Sequence, residues 1–279
     1  MNIKLFQICY APEHFTNIKV PFEVWDNSEN LTPKLCEFPI FNKVYDYATE
    51  NNIDYWGVLS PKFEYKAGIS GQQFYDWIER EITNSPAKPD VLFINPTPIN
   101  ESLSSSVISQ GENCHPGLMN LMQRVLQRMN INLILATLWN YDTFALCNYF
   151  VGNKVFWTKY LNFANQFIAE ASSDPNDYKM MFETGANYGL NSALPYYTFV
   201  LERLFSLFLI IYPEINHYEA KYSREQLFKK TKLPLEIVDE IRALSYIKHL
   251  GINDPELLRH WIFLRNKFAQ QNPNIFNVE

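Results

Sequence analysis

Two lysines, Lys62 and Lys66, directly follow an apolar run, Tyr55 to Leu59, that stops at Ser60–Pro61. Two nearby ammonium groups at a strand end can neutralise a diphosphate. Two solvated lysines would look the same. Upstream, Asp26, Asn27 and Asn30 close another strand-like run in WDNSENLTP. They offer carboxylate and amide groups at the carboxyl edge of a sheet, where open α/β folds bind ligands. Asp and Asn are also ordinary turn formers. Glu37 comes next, in the first turn of an apolar helix, where its charge suits the helix dipole.

Other chemistries lack their usual support. The sequence contains no GxGxxG, GxxxxGK[ST], HExxH or GxSxG, the marks of dinucleotide binding, P-loop hydrolysis, zinc proteolysis and serine hydrolysis. The histidines His14, His115, His217, His249 and His260 show no ligand spacing. His115 is the least ordinary of them, because it falls in a long polar stretch. Cys9, Cys36, Cys114 and Cys147 form no CxxC pair, so they read as free thiols rather than a zinc site.

The elements that must position these groups follow from periodicity. IKLFQICY is a buried strand candidate, and VPFEVW contains a short second one. LCEFPIFNKVYDYATENN carries apolar residues at helical spacing and stops at Asn51–Asn52. IDYWGVLS is the next strand, and SGQQFYDWIEREI is an amphipathic helix capped by Ser70. PDVLFINP is a further strand, followed by a polar loop from Thr97 to Gly117. Such a loop is long for a compact domain and is usually functional or locally disordered. LMNLMQRVLQRM reads as a helix and NLILATLWNY as a strand or buried helix. NYFVGNKVFWTKYLNFANQFIAEA gives a short strand, a turn at Gly152–Asn153 and a long helix.

Alternating strands and helices predict an α/β fold with a mixed, mostly parallel sheet flanked by helices, over residues 1–213. From 214 to 279 the pattern is helical, with caps at Ser223 and Asp254. This predicts a small helical C-terminal region. Its Lys221, Arg224, Lys229, Lys230 and Lys232 make either a solvated face or a contact with an anionic membrane surface.

Composition agrees. The chain has 279 residues, 47% of them hydrophobic, enough for a sizeable core. A formal net charge of −6 argues against a general nucleic-acid binder. The apolar run at the N-terminus is too short for a secretory signal. The most apolar later run, Leu204–Tyr212, is about half a membrane span. The expectation is a cytoplasmic protein, in peripheral contact with the inner membrane at most.

The order of motifs resembles a family of bacterial capsule and lipopolysaccharide glycosyltransferase domains. That family shows a D-N-[ST]-G-D-N-like turn, a C-E-L-T helix start, and a Y-I-G-L strand ending in H-Y-R-R-Y-F. The chain offers Asp26-Asn27-Ser28-Glu29-Asn30, Cys36-Glu37-Phe38 and Tyr55-Trp56-Gly57-Val58-Leu59. LCNYFVGNKVFWTKYLNF and YYTFVLERLFSLFLI are similar to two later blocks of the family, so the likeness covers Ile3 to Tyr212 in pieces. Departures are Ser60-Pro61-Lys62-Phe63 for the basic-aromatic end, Glu29 for a glycine and Leu201 for a serine.

The resemblance implies a GT-A-like nucleotide-sugar transferase of hexosyltransferase type, acting on a glycan or lipid-linked acceptor in capsule or lipopolysaccharide synthesis. The donor-binding candidates it implies are Gln7, Asp26, Asn27, Asn30, Glu37, Ser60, Lys62 and Lys66. Most such folds hold manganese or magnesium on the diphosphate with an Asp-x-Asp motif. None is found here, so a divalent metal stays open, and Lys62, with Lys66 in support, is expected to supply the positive charge. Asp142, Glu183 and Glu202 are the candidate catalytic bases for the acceptor hydroxyl. Each also has a plain reading: a solvated carboxylate for Asp142 and Glu183, an ion pair with Arg203 for Glu202. Two other classes compete. One is a non-catalytic partner protein that keeps the fold. The other is a sugar nucleotidyltransferase, which would normally carry a glycine-rich basic loop after the first strand; CYAPEHF has none.

Overall fold

The structure, a computed structural model, describes residues 1–16, 18–29, 35, 37–188 and 192–276. The chain opens with β1 (Ile3–Cys9), the short helix α1 (Pro12–Thr16) and β2 (Phe22–Asp26). α2 (Phe38–Glu50) leads to β3 (Tyr55–Leu59), and α3 (Phe63–Ala67) and α4 (Gly71–Asn84) lead to β4 (Val91–Phe93). α5 (Pro98–Leu103), α6 (Val107–Cys114) and α7 (Leu118–Arg128) precede β5 (Phe150–Asn153). α8 (Lys154–Ser173), α9 (Pro175–Tyr178) and a π-helical turn (Lys179–Glu183) lead into a hairpin, β6 (Gly185–Tyr188) with β7 (Ser192–Pro195). The chain ends with α10 (Tyr196–Ile211), β8 (His217–Glu219), α11 (Arg224–Thr231), α12 (Leu235–Gly251), α13 (Pro255–Gln271) and α14 (Pro273–Phe276).

Six strands form one sheet in the order β2-β1-β3-β5-β4-β8. β2, β1 and β3 are parallel, with Gln7 opposite both Val24 and Leu59. β5 runs antiparallel between β3 and β4, and β8 adds in parallel to β4. The fold is therefore mixed α/β with a mostly parallel sheet. Gly57 makes the β3–β5 pairing possible: a Cβ there would lie 2.6 Å from the Phe150 carbonyl oxygen. No side chain fits so close an approach.

Local signals explain the helix starts. Ser70 Oγ accepts from Gln73 N while Gln73 Oε1 accepts from Ser70 N, a reciprocal cap on α4. Asn153 Oδ1 caps α8 by accepting from Phe156 N. One face of the sheet is covered by α2, α7, α8 and α10, with Trp56 and Trp157 stacked 6.0 Å apart. The other face is covered by α3 and α4 through Phe63, Phe74, Ile78 and Ile82. A third, smaller core joins α5 to α12 and α13 through Leu103, Leu244 and Trp261. No helix among the described residues is long and apolar enough to cross a membrane.

Several local expectations are corrected. The polar stretch from Thr97 to Gly117 folds as α5 and α6, started by Pro98 at the first turn and by a Ser106–Ser109 cap. NLILATLWNY is neither strand nor buried helix. It holds a 3-10 turn, Leu135–Thr137, that buries Leu135 and leaves Ile134 61% exposed. Gly152 and Asn153 belong to β5 itself rather than to a turn. The stretch expected to be wholly helical contributes β8, so the sheet continues beyond residue 213.

Candidate functional site

All five parallel strands end at one edge of the sheet, and antiparallel β5 brings its lead-in, Cys147–Tyr149, to the same edge. Ile94 N, just past β4, donates to Tyr149 O and fixes that lead-in. β1 is flanked by β2 on one side and β3 on the other. The chain thus reverses its direction of travel around β1, and the crevice at such a switch point is where open α/β sheets bind ligands.

The lead-in is strained. Cys147 and Asn148 both lie in the left-handed region, at φ +68° and +41°. Each such non-glycine residue costs on the order of 1–2 kcal/mol. Strain of this kind persists only where the surroundings impose it, and it clusters at functional sites. Here it turns the Asn148 side chain, 5% exposed, toward Glu37 at the start of α2. Asn148 Nδ2 donates to Glu37 Oε2 at 3.3 Å, and Asn148 Oδ1 is buried without a hydrogen-bond partner.

Glu37 keeps part of its surface open, but protein crowds the carboxyl itself. Burial pushes its pKa up to about 7. The Asn148 hydrogen bond opposes the rise, the Glu202 charge adds to it, and Lys66 opposes it. Lys66, in the last turn of α3, donates from Nζ to Cys147 Sγ at 3.4 Å. Burial, then the Glu202 charge, pushes the Cys147 thiol up to about 12, so it stays protonated and is no nucleophile near neutral pH. Ser60 Oγ, just past β3, shares a 3.0 Å hydrogen bond with Tyr149 OH. Tyr10, just past β1, is half exposed, and burial with the Glu37 charge raises its phenol.

Next to this group a cavity of about 490 Å³ opens at the ends of β1 and β3, lined by Gln7, His14, Lys19, Phe22, Glu64 and Tyr65 among others. Gln7 is nearly buried, whereas Tyr65 offers an open ring, 88% exposed.

Four of the sequence-derived candidates, Glu37, Ser60, Lys66 and Glu202, thus gather around Asn148 and Cys147, and Gln7 lines the adjoining cavity. Lys62, the lysine expected to meet the diphosphate, instead sits exposed at the N-terminal end of α3 with no capping hydrogen bond from its side chain, and Lys66 is the lysine that turns inward. Asp26 is exposed and accepts from Ser28 N at 2.9 Å, a turn contact that holds its carboxyl below the usual range. Asn27 N donates to Cys9 O, tying β2 to the end of β1. Asn30 lies outside the described residues. Asp142 is exposed and faces His249 at 3.5 Å. Glu183 is exposed at the end of the π-helical turn. Neither is placed with Glu37. The expected Glu202–Arg203 pair is replaced by other bonds: Arg203 donates to the Val107 and Phe199 carbonyls and to Gln110. His115 is a core residue stacked 3.7 Å from Phe199, its pKa lowered to about 4 by burial and then by Arg203.

Tyr10, Cys147, Asn148 and Tyr149 were not among the sequence candidates. The one available signal was an Asn directly before an apolar strand, since Asn tolerates left-handed backbone better than most residues. Among the described residues no group of three or more His, Cys, Asp or Glu side chains is placed to hold a metal ion. Compared with known proteins, the chain matches no family model, no curated protein and no solved structure.

Proposed function

We propose that the chain is a glycosyltransferase with a GT-A-like fold, moving a sugar from a nucleotide-sugar donor to a glycan or lipid-linked acceptor in bacterial surface-polysaccharide synthesis. A mixed, mostly parallel sheet with its polar groups gathered at the carboxyl edge supports this reading. The observation that carries it is the convergence of Glu37, Glu202 and Lys66 on a strained turn whose Asn148 Oδ1 is buried and unpaired. A buried acceptor atom without a partner is costly, and a ligand hydroxyl would satisfy it.

In the transfer, the acceptor oxygen forms a bond to the donor sugar's anomeric carbon as the bond from that carbon to the diphosphate breaks. The acceptor's proton passes to a carboxylate. Glu37 suits this role, because a base with a pKa near the working pH is the most effective. Lys66 sets a fixed positive charge against the charge that grows on the departing diphosphate.

The test is a thermal-shift panel of uridine, guanosine, cytidine and thymidine diphosphates and their sugars, with and without manganese. At a ligand concentration of about 100 Kd, binding to the folded state adds roughly 2.7 kcal/mol, a clear rise in Tm. The rise is expected to vanish in Lys66→Ala and to survive in Lys62→Ala. If no nucleotide shifts the wild type, the transferase reading fails and a non-catalytic partner role takes its place.

A further inference from the structure

A second constellation lies where the far edge of the sheet meets the C-terminal helices. β8 ends at Glu219, Lys221 follows, and Glu101 comes from α5 just after β4. The two carboxylates have side chains only 4% and 6% exposed. Lys221 Nζ lies 2.7 Å from Glu101 Oε1 and 2.5 Å from Glu219 Oε2. The same ammonium sits 4.2 Å from the centre of the Tyr141 ring.

These groups open into a cavity of about 240 Å³, whose other wall is α12 through Arg242, Ser245 and Tyr246. Clefts between layers of a fold, with a few convergent polar groups, are where ligands bind, and drug-sized ligands usually need about 300 Å³ or more. This volume suits one ring. Lys221 is paired with both carboxyl groups, so this wall presents no lone charge to select an anion or a cation. Burial, then the nearby Glu101 charge, raises the Glu219 carboxyl above its ordinary range; Glu101 and Glu219 offer carboxyl oxygens here and Lys221, set between them, offers N–H donors. Acceptors and donors therefore alternate along one wall, while Tyr246 offers an open ring, 62% exposed, on the other.

We propose that this seam binds a single neutral sugar ring, its hydroxyls on Glu101, Lys221 and Glu219 and its C–H face on Tyr246. This binding does not rest on the transferase reading. Neighbouring hydroxyls on a ring each donate and accept, which matches a carboxylate beside an ammonium. A flat aromatic face matches the apolar side of the ring.

The experiment is saturation-transfer NMR on the full chain with methyl glycosides of glucose, galactose, mannose and N-acetylglucosamine at millimolar concentration, without nucleotide. At least one glycoside is expected to show transfer. That signal should fall about fivefold in Tyr246→Ala, the loss of one stacked ring, and persist in Tyr246→Phe. Tyr246 is exposed, so the variant keeps its fold. The inference is overturned if no glycoside binds, if Tyr246→Ala leaves the signal intact, or if uridine diphosphate displaces the sugar, which would place it at the β1–β3 crevice. A chain that binds glycoside but no nucleotide would sink the transferase reading and leave this site standing.

Discussion

Lys248 offers the sharpest test of the energetics. It is 0% exposed in α12, and its Nζ donates to the Glu101 carbonyl oxygen at 2.7 Å. The Phe144 and Trp261 rings lie 5.1 and 5.9 Å away. Burial drives its pKa from 10.5 down to about 7; Glu101 and Glu219 oppose the fall and Lys221 adds to it. In the unfolded chain the amine holds its proton to about 10.5, while in the fold it releases it near 7. Between those values the unfolded state binds more protons, so stability rises with pH. The contribution is complete above the unfolded value and is lost as pH falls through 7. At about 1.4 kcal/mol per tenfold, the displacement is worth roughly 5 kcal/mol as an upper bound. Lys248→Met keeps the length and the ring contacts and gives up one hydrogen bond, about 1 kcal/mol. The variant should therefore be more stable than wild type by several kcal/mol at pH 7 and about equal to it near pH 10. Urea unfolding across that range, followed by tryptophan fluorescence, reads the difference; Trp139 and Trp261 sit edge to face at this seam, 5.4 Å apart. A variant that is less stable at pH 7, or a gap that does not change with pH, would refute the reasoning.

Glu37 gives the opposite window: its carboxyl is raised from 4.5 to about 7, so its contribution is complete below 4.5 and lost as pH rises through 7. Glu37→Gln should flatten the stability profile there by up to about 3 kcal/mol, less for the solvent it keeps, as measured by urea titration at pH 4.5 and 7.5. Asp177 is buried and held by Arg124 Nε at 2.9 Å and Arg128 Nη2 at 2.7 Å. Asp177→Ala leaves both cations without their carboxylate and should cost roughly 3 kcal/mol in the same assay. Asn148→Gly should relieve backbone strain at φ +41° that Asn148→Ala retains, so calorimetry should find the glycine variant the more stable by about 1 kcal/mol. Equal stabilities would mean that the turn is not strained.

The sequence revealed elements whose local signals agree with their packing. β1, β3 and β4 are apolar runs, and α4 announces itself through Ser70 and Gln73. α5 and α6 stayed hidden because their apolar residues are few and their caps are a proline and a serine pair. β8 is three residues, His217, Tyr218 and Glu219, with no apolar run at all. It is a strand because the edge of β4 needs a partner for its backbone groups. The reverse error came from NLILATLWNY, apolar enough for a strand, where Leu135 and Leu138 plug the core and no ladder forms.

The candidate site divides in the same way. Glu37, Ser60 and Lys66 could be found because strand ends and helix starts are local features. Asn148 could not, because two consecutive left-handed residues are imposed by the surrounding fold. Glu202 stands between these cases. A carboxylate in an almost wholly buried helix, α10, invites pairing with its neighbour, and the neighbour is an arginine. The Arg203 guanidinium, however, is already committed to the carbonyls of Val107 and Phe199 and to Gln110. The Glu202 charge is therefore not quenched by a direct bond from that arginine. Its field reaches the sheet edge, where it raises both Glu37 and Cys147. Glu202 and Arg203 still act on each other through space, but the arginine's hydrogen bonds go to the backbone and to Gln110, a division that spacing along the chain cannot show.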